Sequence, residues 1–480
     1  MWQPVLMVNG FILTILGLSM FFPAAIDIYD NNANWSPFIT SMLITLFMGI
    51  SLFLSNKVKI AQITLRQGYL VTITCWITVS LFAAIPFIIS GSITDTASAI
   101  FESVSGISGT GATILTDIES EPRSILLWRS MLNGLGGIGI VIFAVAMLPF
   151  LGVGGMQMFA RENANANDKL MPKFVDMAKW IMAVYVGLVA LCTILLYFGG
   201  MNKFDALNHA ISAVATAGFS TKNNSIAYFN SNIIEFILAA FMLLGALPMT
   251  FYIMLLKNKE LDPFHTGQIK YFLKTIFTLS VLVAIWLSFQ SNMNFFTALR
   301  YSTFNIISVI TTTGMGSTDF LDWGIWTAVF FTILSMHGGC NGSTTGSIKV
   351  MRWQALRSYF HKMIITSIEP NRIVPIKIGN VSLNENVINS VFLYVFLFFV
   401  TIGFTAVTLN FMGYDFTTSV SAAIASVTNT GPGITTSIGV MGNYAFFNSA
   451  AKYVLCIAMI LGRLEIITVL VVFTKAFWKK

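Results

Sequence analysis

Long stretches without a single charged side chain decide what this chain can become. Gln67–Thr94, Ser130–Ala160, Phe236–Leu256 and Asn386–Tyr414 contain no Asp, Glu, Lys or Arg. Each reaches the roughly 20 apolar residues that cross a hydrocarbon core. Soluble domains carry roughly 25% charged residues; here the share is 10%, against 56% hydrophobic residues. These runs predict an all-α polytopic membrane protein.

The formal net charge of +7 follows topology and is no nucleic-acid footprint. Twenty of the 27 Lys and Arg fall around Lys57–Arg66, Arg161–Lys179, Lys257–Lys274, Lys349–Lys377 and Lys475–Lys480. The positive-inside rule puts those segments, and with them both termini, in the cytoplasm. The opposite loops carry Asp27, Asp30, Asp117, Glu119, Glu121, Asp319 and Asp322. They read either as ordinary solvated loop ends or as a mild cation-attracting outer mouth. The first apolar run, Val5–Phe22, lacks a basic n-region and a small-residue cleavage site, so it is expected as a retained helix. Cys75, Cys192, Cys340 and Cys456 fit no disulfide or metal spacing and read as small packing residues.

Two plain spans, Val5–Phe22 and Pro37–Leu54, occupy residues 1–64. A unit then recurs four times, over 65–165, 170–262, 265–380 and 382–480. Each unit has an apolar span, a shorter helix-like run ending in a Thr/Gly loop, and a second apolar span. The loops are SGISGTGAT (Ser105–Thr113), SAVATAGFS (Ser212–Ser220), IISVITTTGMG (Ile306–Gly316) and ASVTNTGPG (Ala425–Gly433). Their aligned glycines, Gly111, Gly218, Gly314 and Gly431, are spaced by 107, 96 and 117 residues. Repeated units in membrane proteins meet at a shared axis or substrate site. Asp95, Asp205, Asn294 and Asp415 stand where each short helix should begin, as residue types that cap free helix N–H groups. A helix of about 12–14 residues rises only some 18–21 Å, too little for a core of about 30 Å. The short runs must therefore enter and return on one side, giving ten spans and four re-entrant hairpins around a shared axis.

A cation leaving water needs oxygen ligands in place of its hydration shell. Loops rich in Gly and Thr can turn carbonyls inward without blocking a path. The short helices aim their partially negative C-terminal ends at the membrane centre, which favours a cation there. No loop carries Lys or Arg at its glycine. The candidate ligands are Thr110 and Gly111, Ala217 and Gly218, Thr313 and Gly314, and Thr430 and Gly431.

The chain resembles the TrkH/TrkG/KtrB superfamily of potassium-uptake membrane subunits over essentially its whole length, and most of all the TrkH branch. The resemblance rests on Leu127–Gly155 (LWRSMLNGLGGIGIVIFAVAMLPFLGVGG), ATAGFST at Ala215–Thr221 and ITTTGMG at Ile310–Gly316. It also rests on MHGGCNGSTTGSIKVMR at Met336–Arg352 and LGRLEI at Leu461–Ile466. It implies four span–pore loop–span repeats in a pseudo-fourfold, potassium-channel-like arrangement and one potassium path per protomer, with potassium as the transported substrate and no covalently bound cofactor. It further implies homodimerisation, a bacterial inner-membrane location and gating by a cytosolic TrkA-type nucleotide-binding ring. Two places depart from the commonest family pattern, SGTG in loop one and Ala217 in loop two; neither alters backbone carbonyl chemistry.

The second span of the third unit is interrupted by Gly338, Gly339, Gly342, Ser343, Thr344, Thr345 and Gly346. Glycines weaken a helix and the hydroxyls need partners in lipid, which predicts a broken helix with a loop beneath the filter. The resemblance assigns that place a gate; a small-residue packing face is the alternative. Arg463 is a single charge deep in the apolar run Tyr453–Phe473, either paired with another helix or a positive barrier in the pore. Glu465 lies on a different helical face and is a poor intrahelical partner. Glu102 and Arg300, within the short helices, read as structural ion pairs or filter supports. Gly134–Gly139 spells G-x-G-x-x-G inside a charge-free span and reads as a packing face rather than a dinucleotide loop. No catalytic constellation stands out, so no enzymatic activity is expected. The leading expectation is channel-like potassium uptake; the alternative is a symporter coupling potassium to protons or sodium.

Overall fold

The computed structural model describes residues 2–32, 35–57, 64–146, 170–256, 263–291, 293–379 and 381–479. Parts of the basic segments expected in the cytoplasm, at 58–63, 161–169 and 257–262, lie outside the described residues. So do the end of the Leu127–Gly155 motif and the boundaries between the first three units. Among the described residues the fold is helical, apart from a two-residue antiparallel pairing of Lys377–Ile378 with Val381–Ser382. Seven helices among the described residues are long and apolar enough to cross a bilayer, and two bent helix pairs raise that to nine.

Three of the uninterrupted spans are α8 (Leu170–Phe198), α12 (Pro263–Gln290) and α16 (Glu385–Phe411). They keep mostly lipid-facing side chains, with only about a third or less of each apolar window buried. Arg123–Ala146 (α7) differs, with 72% of its window buried. Its glycines explain this. A Cβ on Gly136 would overlap the backbone oxygen of Ile107, and one on Gly137 would sit 3.0 Å from the Ala215 methyl. The G-x-G-x-x-G run is thus a close-packing face against the short helices of the first two units.

Those short helices are α6 (Thr96–Ser108), α9 (Lys203–Val214), α13 (Phe295–Ile310) and α17 (Phe416–Thr428), with 13, 12, 16 and 13 residues. Asp95, Asn294 and Asp415 cap three of them as expected. In the second unit the cap is Asn202 instead of Asp205: its side chain accepts the Asp205 N–H at 2.7 Å and donates to the Asp205 carboxylate. Asp205 in the first turn suits the helix dipole equally well, which is why sequence position alone misassigned it.

Three of the second spans are broken where one break was expected. Asn232–Gly245 (α10) meets Met249–Leu256 (α11) at 89°, and Ser449–Arg463 (α18) meets the Ile466–Phe473 segment at 109°. The expected Trp323–Ile348 span is Ile325–Ser335 (α14), a non-helical stretch over 336–349, and Val350–Ile368 (α15). At the first bend Pro248 cannot continue the hydrogen-bond ladder. The carbonyls released there accept N–H groups from another unit: Cys340 to Ala246 at 2.9 Å and Thr344 to Gly245 at 3.3 Å. The break and the loop that fills it are one construction.

Candidate functional site

The C-terminal ends of the four short helices converge. In every loop the chain enters the left-handed region twice. The first entry is at Gly109, Thr216, Thr312 and Asn429, with φ 68°, 50°, 57° and 56°; the second is at Gly111, Gly218, Gly314 and Gly431, with φ 78°, 86°, 78° and 88°. This shared backbone places the loops in a closed circuit. A Cβ on Gly111 would collide with the Ala217 carbonyl oxygen, one on Gly218 with that of Thr313, one on Gly314 with that of Thr430, and one on Gly431 with that of Thr110. Each glycine abuts the residue just before the glycine of the next unit, and the fourth returns to the first.

Thr110, Ala217, Thr313 and Thr430 are all buried. Among the described residues none of their carbonyl oxygens accepts a hydrogen bond from the protein. Buried backbone carbonyls are nearly always paired, so four unpaired ones around one axis form an oxygen-lined site suited to a dehydrated cation. Their side chains are turned to other work. The hydroxyl pairs Ser108–Thr110, Thr311–Thr313 and Thr428–Thr430 lie 2.6, 2.7 and 2.9 Å apart. Loop two has alanine at both equivalent positions, Ala215 and Ala217, and lacks the pair. Above the ring is a cavity of about 50 Å³ lined by the four glycines. Tyr444 closes one side of it, donating its hydroxyl to the Gly431 carbonyl at 2.8 Å and its N–H to the Thr113 carbonyl at 2.8 Å.

Behind the ring, buried ion pairs hold the loops. Arg129 donates to Glu102 at 2.7 Å, to the Ser220 carbonyl at 3.0 Å and to the Thr113 hydroxyl at 3.1 Å, and lies over the Phe219 ring. One side chain therefore ties loop one to loop two. Arg300 pairs with Glu235 at 2.6 Å, joining the third short helix to α10. Glu102 and Arg300 thus each sit in an ion pair, with Arg129 and Glu235 respectively. In the loop that follows Thr113, hydrogen bonding from the Asn223 side chain holds the Asp117 carboxyl below its ordinary range, while burial raises that of Glu121.

Beneath the ring lies the stretch 336–349. Gly338 through Lys349 are buried, and Ser347 and Lys349 adopt φ 62° and 68°, unusual for residues with side chains. The Gly346 N–H donates to the Thr312 hydroxyl at 2.9 Å, and the hydroxyls of Thr344 and Thr216 are 3.0 Å apart. Gly339 donates its N–H to the Thr345 hydroxyl at 3.1 Å, and Ser343 lies 2.8 Å from the same hydroxyl. Gly342 accepts the Met249 N–H, while a Cβ on Gly338 would press on the backbone of Gly346 and Lys349. The predicted loop residues are therefore gathered in one plug directly under the four Thr/Gly loops.

Arg463 ends α18 below loop one. It is 3% exposed, and its three guanidinium nitrogens have no hydrogen-bond partner among the described residues. Glu465 is not on the same helix, because the chain turns at Leu464 and Glu465 takes φ 63°. Its carboxylate pairs instead with Arg352, whose guanidinium lies 3.7 Å over the Tyr394 ring. Lys349, Arg463 and Glu465 line one small cavity below the ring, so with Arg352 three positive side chains gather near one carboxylate. The Arg352–Glu465 pair had no sequence signal, since the partners lie 113 residues apart.

Comparison with known proteins follows the same lines. Residues 35–480 match the family model TrkH, described as a cation transport protein. The chain is 35% identical over 481 residues to the Trk system potassium uptake protein TrkI of Halomonas elongata, covering 100% of this chain and 97% of that one. It is 31% identical to Escherichia coli K12 TrkH, covering 98% of each chain. The crystal structure of the potassium transporter TrkH from Vibrio parahaemolyticus superposes with a TM-score of 0.91 at 28% identity, covering both chains completely.

Proposed function

The chain belongs to the TrkH family of cation transport proteins, and on that premise we propose that it is the potassium-conducting membrane subunit of a Trk-type uptake system. The ring of four buried, donor-free carbonyls carries this reading. Thr110 with Gly111, Ala217 with Gly218, Thr313 with Gly314 and Thr430 with Gly431 replace the hydration shell of a potassium ion, one pair from each of four quasi-equivalent units. The units are 65–165, 170–262, 265–380 and 382–480, arranged about a pseudo-fourfold axis and preceded by two extra helices in 1–64. Potassium is cargo here, drawn inward by the membrane potential.

The plug of Gly338, Gly339, Gly342, Ser343, Thr344, Thr345 and Gly346 serves as the gate. Arg463 adds a barrier, because a cation below the filter meets an unpaired guanidinium in a low-dielectric surround. Conduction requires the plug to swing aside and Arg463 to withdraw. The basic segment Lys349–Lys377 suits docking of a cytosolic TrkA-type ring that drives this movement, with the membrane subunit as a homodimer.

Bilayer recording of the purified chain in asymmetric potassium and sodium tests the reading. Discrete single-channel currents reversing near the potassium equilibrium potential are expected, larger in Arg463→Ala. Slow, saturable uptake that depends on a proton or sodium gradient, without unitary currents, would replace the channel with a symporter.

A further inference from the structure

The four positions two residues before the filter glycines share a conformation but not a residue type. Gly109 and Asn429 are what left-handed backbone favours. Thr216 and Thr312 are β-branched, for which a positive φ is a genuine outlier. Such strain persists where surrounding structure over-determines it and concentrates at functional elements. Both threonines use the hydroxyl that Gly and Asn lack, and both direct it at the plug. Thr312 accepts the Gly346 N–H at 2.9 Å, and Thr216 lies 3.0 Å from the Thr344 hydroxyl.

The other two positions complete a collar around the same plug. A Cβ on Gly346 would come within 3.0 Å of the Asn429 side chain, so glycine lets the loop press against loop four. Asn429 itself donates to the Thr110 hydroxyl at 2.9 Å and the Met459 carbonyl at 3.0 Å. On the remaining side Gly109 leaves room for Arg463, whose Nη2 would lie 3.2 Å from a Cβ placed there. The lower surface of the filter is thus the seat of the gate, met by loop contacts on three sides and by the guanidinium on the fourth.

We propose that Thr312, seconded by Thr216, is a latch that holds the plug closed against the filter. The inference rests on the gate reading above and adds its closing contact. Thr312 is a positioning residue for gating, and its side chain takes no part in choosing the ion. Opening breaks the Gly346-to-Thr312 bond, so removing the acceptor shifts the plug toward its open position.

The test uses full-length purified chain in proteoliposomes, with rubidium as the potassium probe. Thr312→Val keeps the shape of threonine and removes the hydroxyl. Rubidium flux through the isolated subunit should rise roughly fivefold, the equilibrium shift expected for one ordinary hydrogen bond, with the rubidium-to-sodium ratio unchanged. Thr312→Ser restores the acceptor and should return flux to the wild-type level. Cys340, buried within the plug, gives a second readout that needs no transport. Its labelling by a small membrane-permeant thiol reagent, followed by mass spectrometry, should accelerate in Thr312→Val and not in Thr312→Ser. Unchanged flux and unchanged Cys340 labelling in a monodisperse Thr312→Val protein would overturn the latch. So would a change confined to the ion ratio, which would make Thr312 a filter residue. Arg463→Ala separates the two levels of the argument. Rubidium flux in that variant with a silent Thr312→Val removes only the latch, whereas no flux in any variant removes the pore.

Discussion

At φ 78°, and with the Thr430 carbonyl standing where a Cβ would go, Gly314 is fixed by two independent steric constraints. The Pro432 ring closes the same space from loop four. Placing a side chain there costs about 1–2 kcal/mol of backbone strain and also pushes the Thr430 oxygen off the ring. Gly314→Ser is therefore expected to lower rubidium-over-sodium preference by roughly tenfold while leaving the protein assembled in detergent. Proteoliposome fluxes of the two ions measure this, and an unchanged ratio would remove Gly314 from the ring. This glycine was legible in the sequence because the signal is local, three threonines and a glycine ending an apolar run. The neighbouring chemistry was not. Nothing near Tyr444 announces that its hydroxyl reaches the Gly431 carbonyl, and nothing near Glu465 announces the turn at Leu464 that carries it to Arg352.

Elements behave in the same way: their periodicity is written in the chain, while their interruptions depend on what packs against them. The short helices could be read from their caps and length. The bend at Gly245–Pro248 could not, because its released carbonyls are satisfied by Cys340 and Thr344, nearly a hundred residues away. The Glu102–Arg129 pair is likewise a tertiary contact, and it sets up the clearest test at this scale. Both side chains are almost fully buried, at 0% and 1% exposure, and together they join loop one to loop two. Breaking a buried pair strands a charge and costs about 3–5 kcal/mol, whereas replacing both partners with apolar side chains costs much less. Thermal unfolding in detergent should show Arg129→Met and Glu102→Met each strongly destabilised, with the double variant more stable than either single one. Because Arg129 also donates to Ser220 and Thr113, even the double variant should lose ion discrimination. Additive losses of stability would mean that the pair contributes little to holding the loops.

On the scale of the whole molecule, two stacked rings share one axis, an upper ring of carbonyls and a lower collar of left-handed residues. The upper ring is close to fourfold, which is why four spaced motifs disclosed it. The lower ring is broken in symmetry, with Gly, Thr, Thr and Asn meeting a plug from the third unit and an arginine from the fourth. No repeat in the sequence could have revealed that arrangement. The Trp2 and Trp478 rings are 6.3 Å apart, and Val5, Leu70 and Phe477 form one buried cluster, so the two ends lie on one face. The Val350–Ile368 helix, which follows the stretch beneath the four loops, carries Arg352, Arg357 and Lys362. The positive-inside rule predicts that these basic residues face the cytoplasm, and on that prediction the proposed gate and Arg463 stand between the proposed filter and the cell interior. Fusing a reporter that fluoresces only in the cytoplasm, and separately a phosphatase active only outside it, to each end measures this directly. Fluorescence without phosphatase activity is expected at both ends. Opposite readings at the two ends would contradict the contact between Trp2 and Trp478, and phosphatase activity at both would turn the pore over, placing the plug on the outer side of the filter.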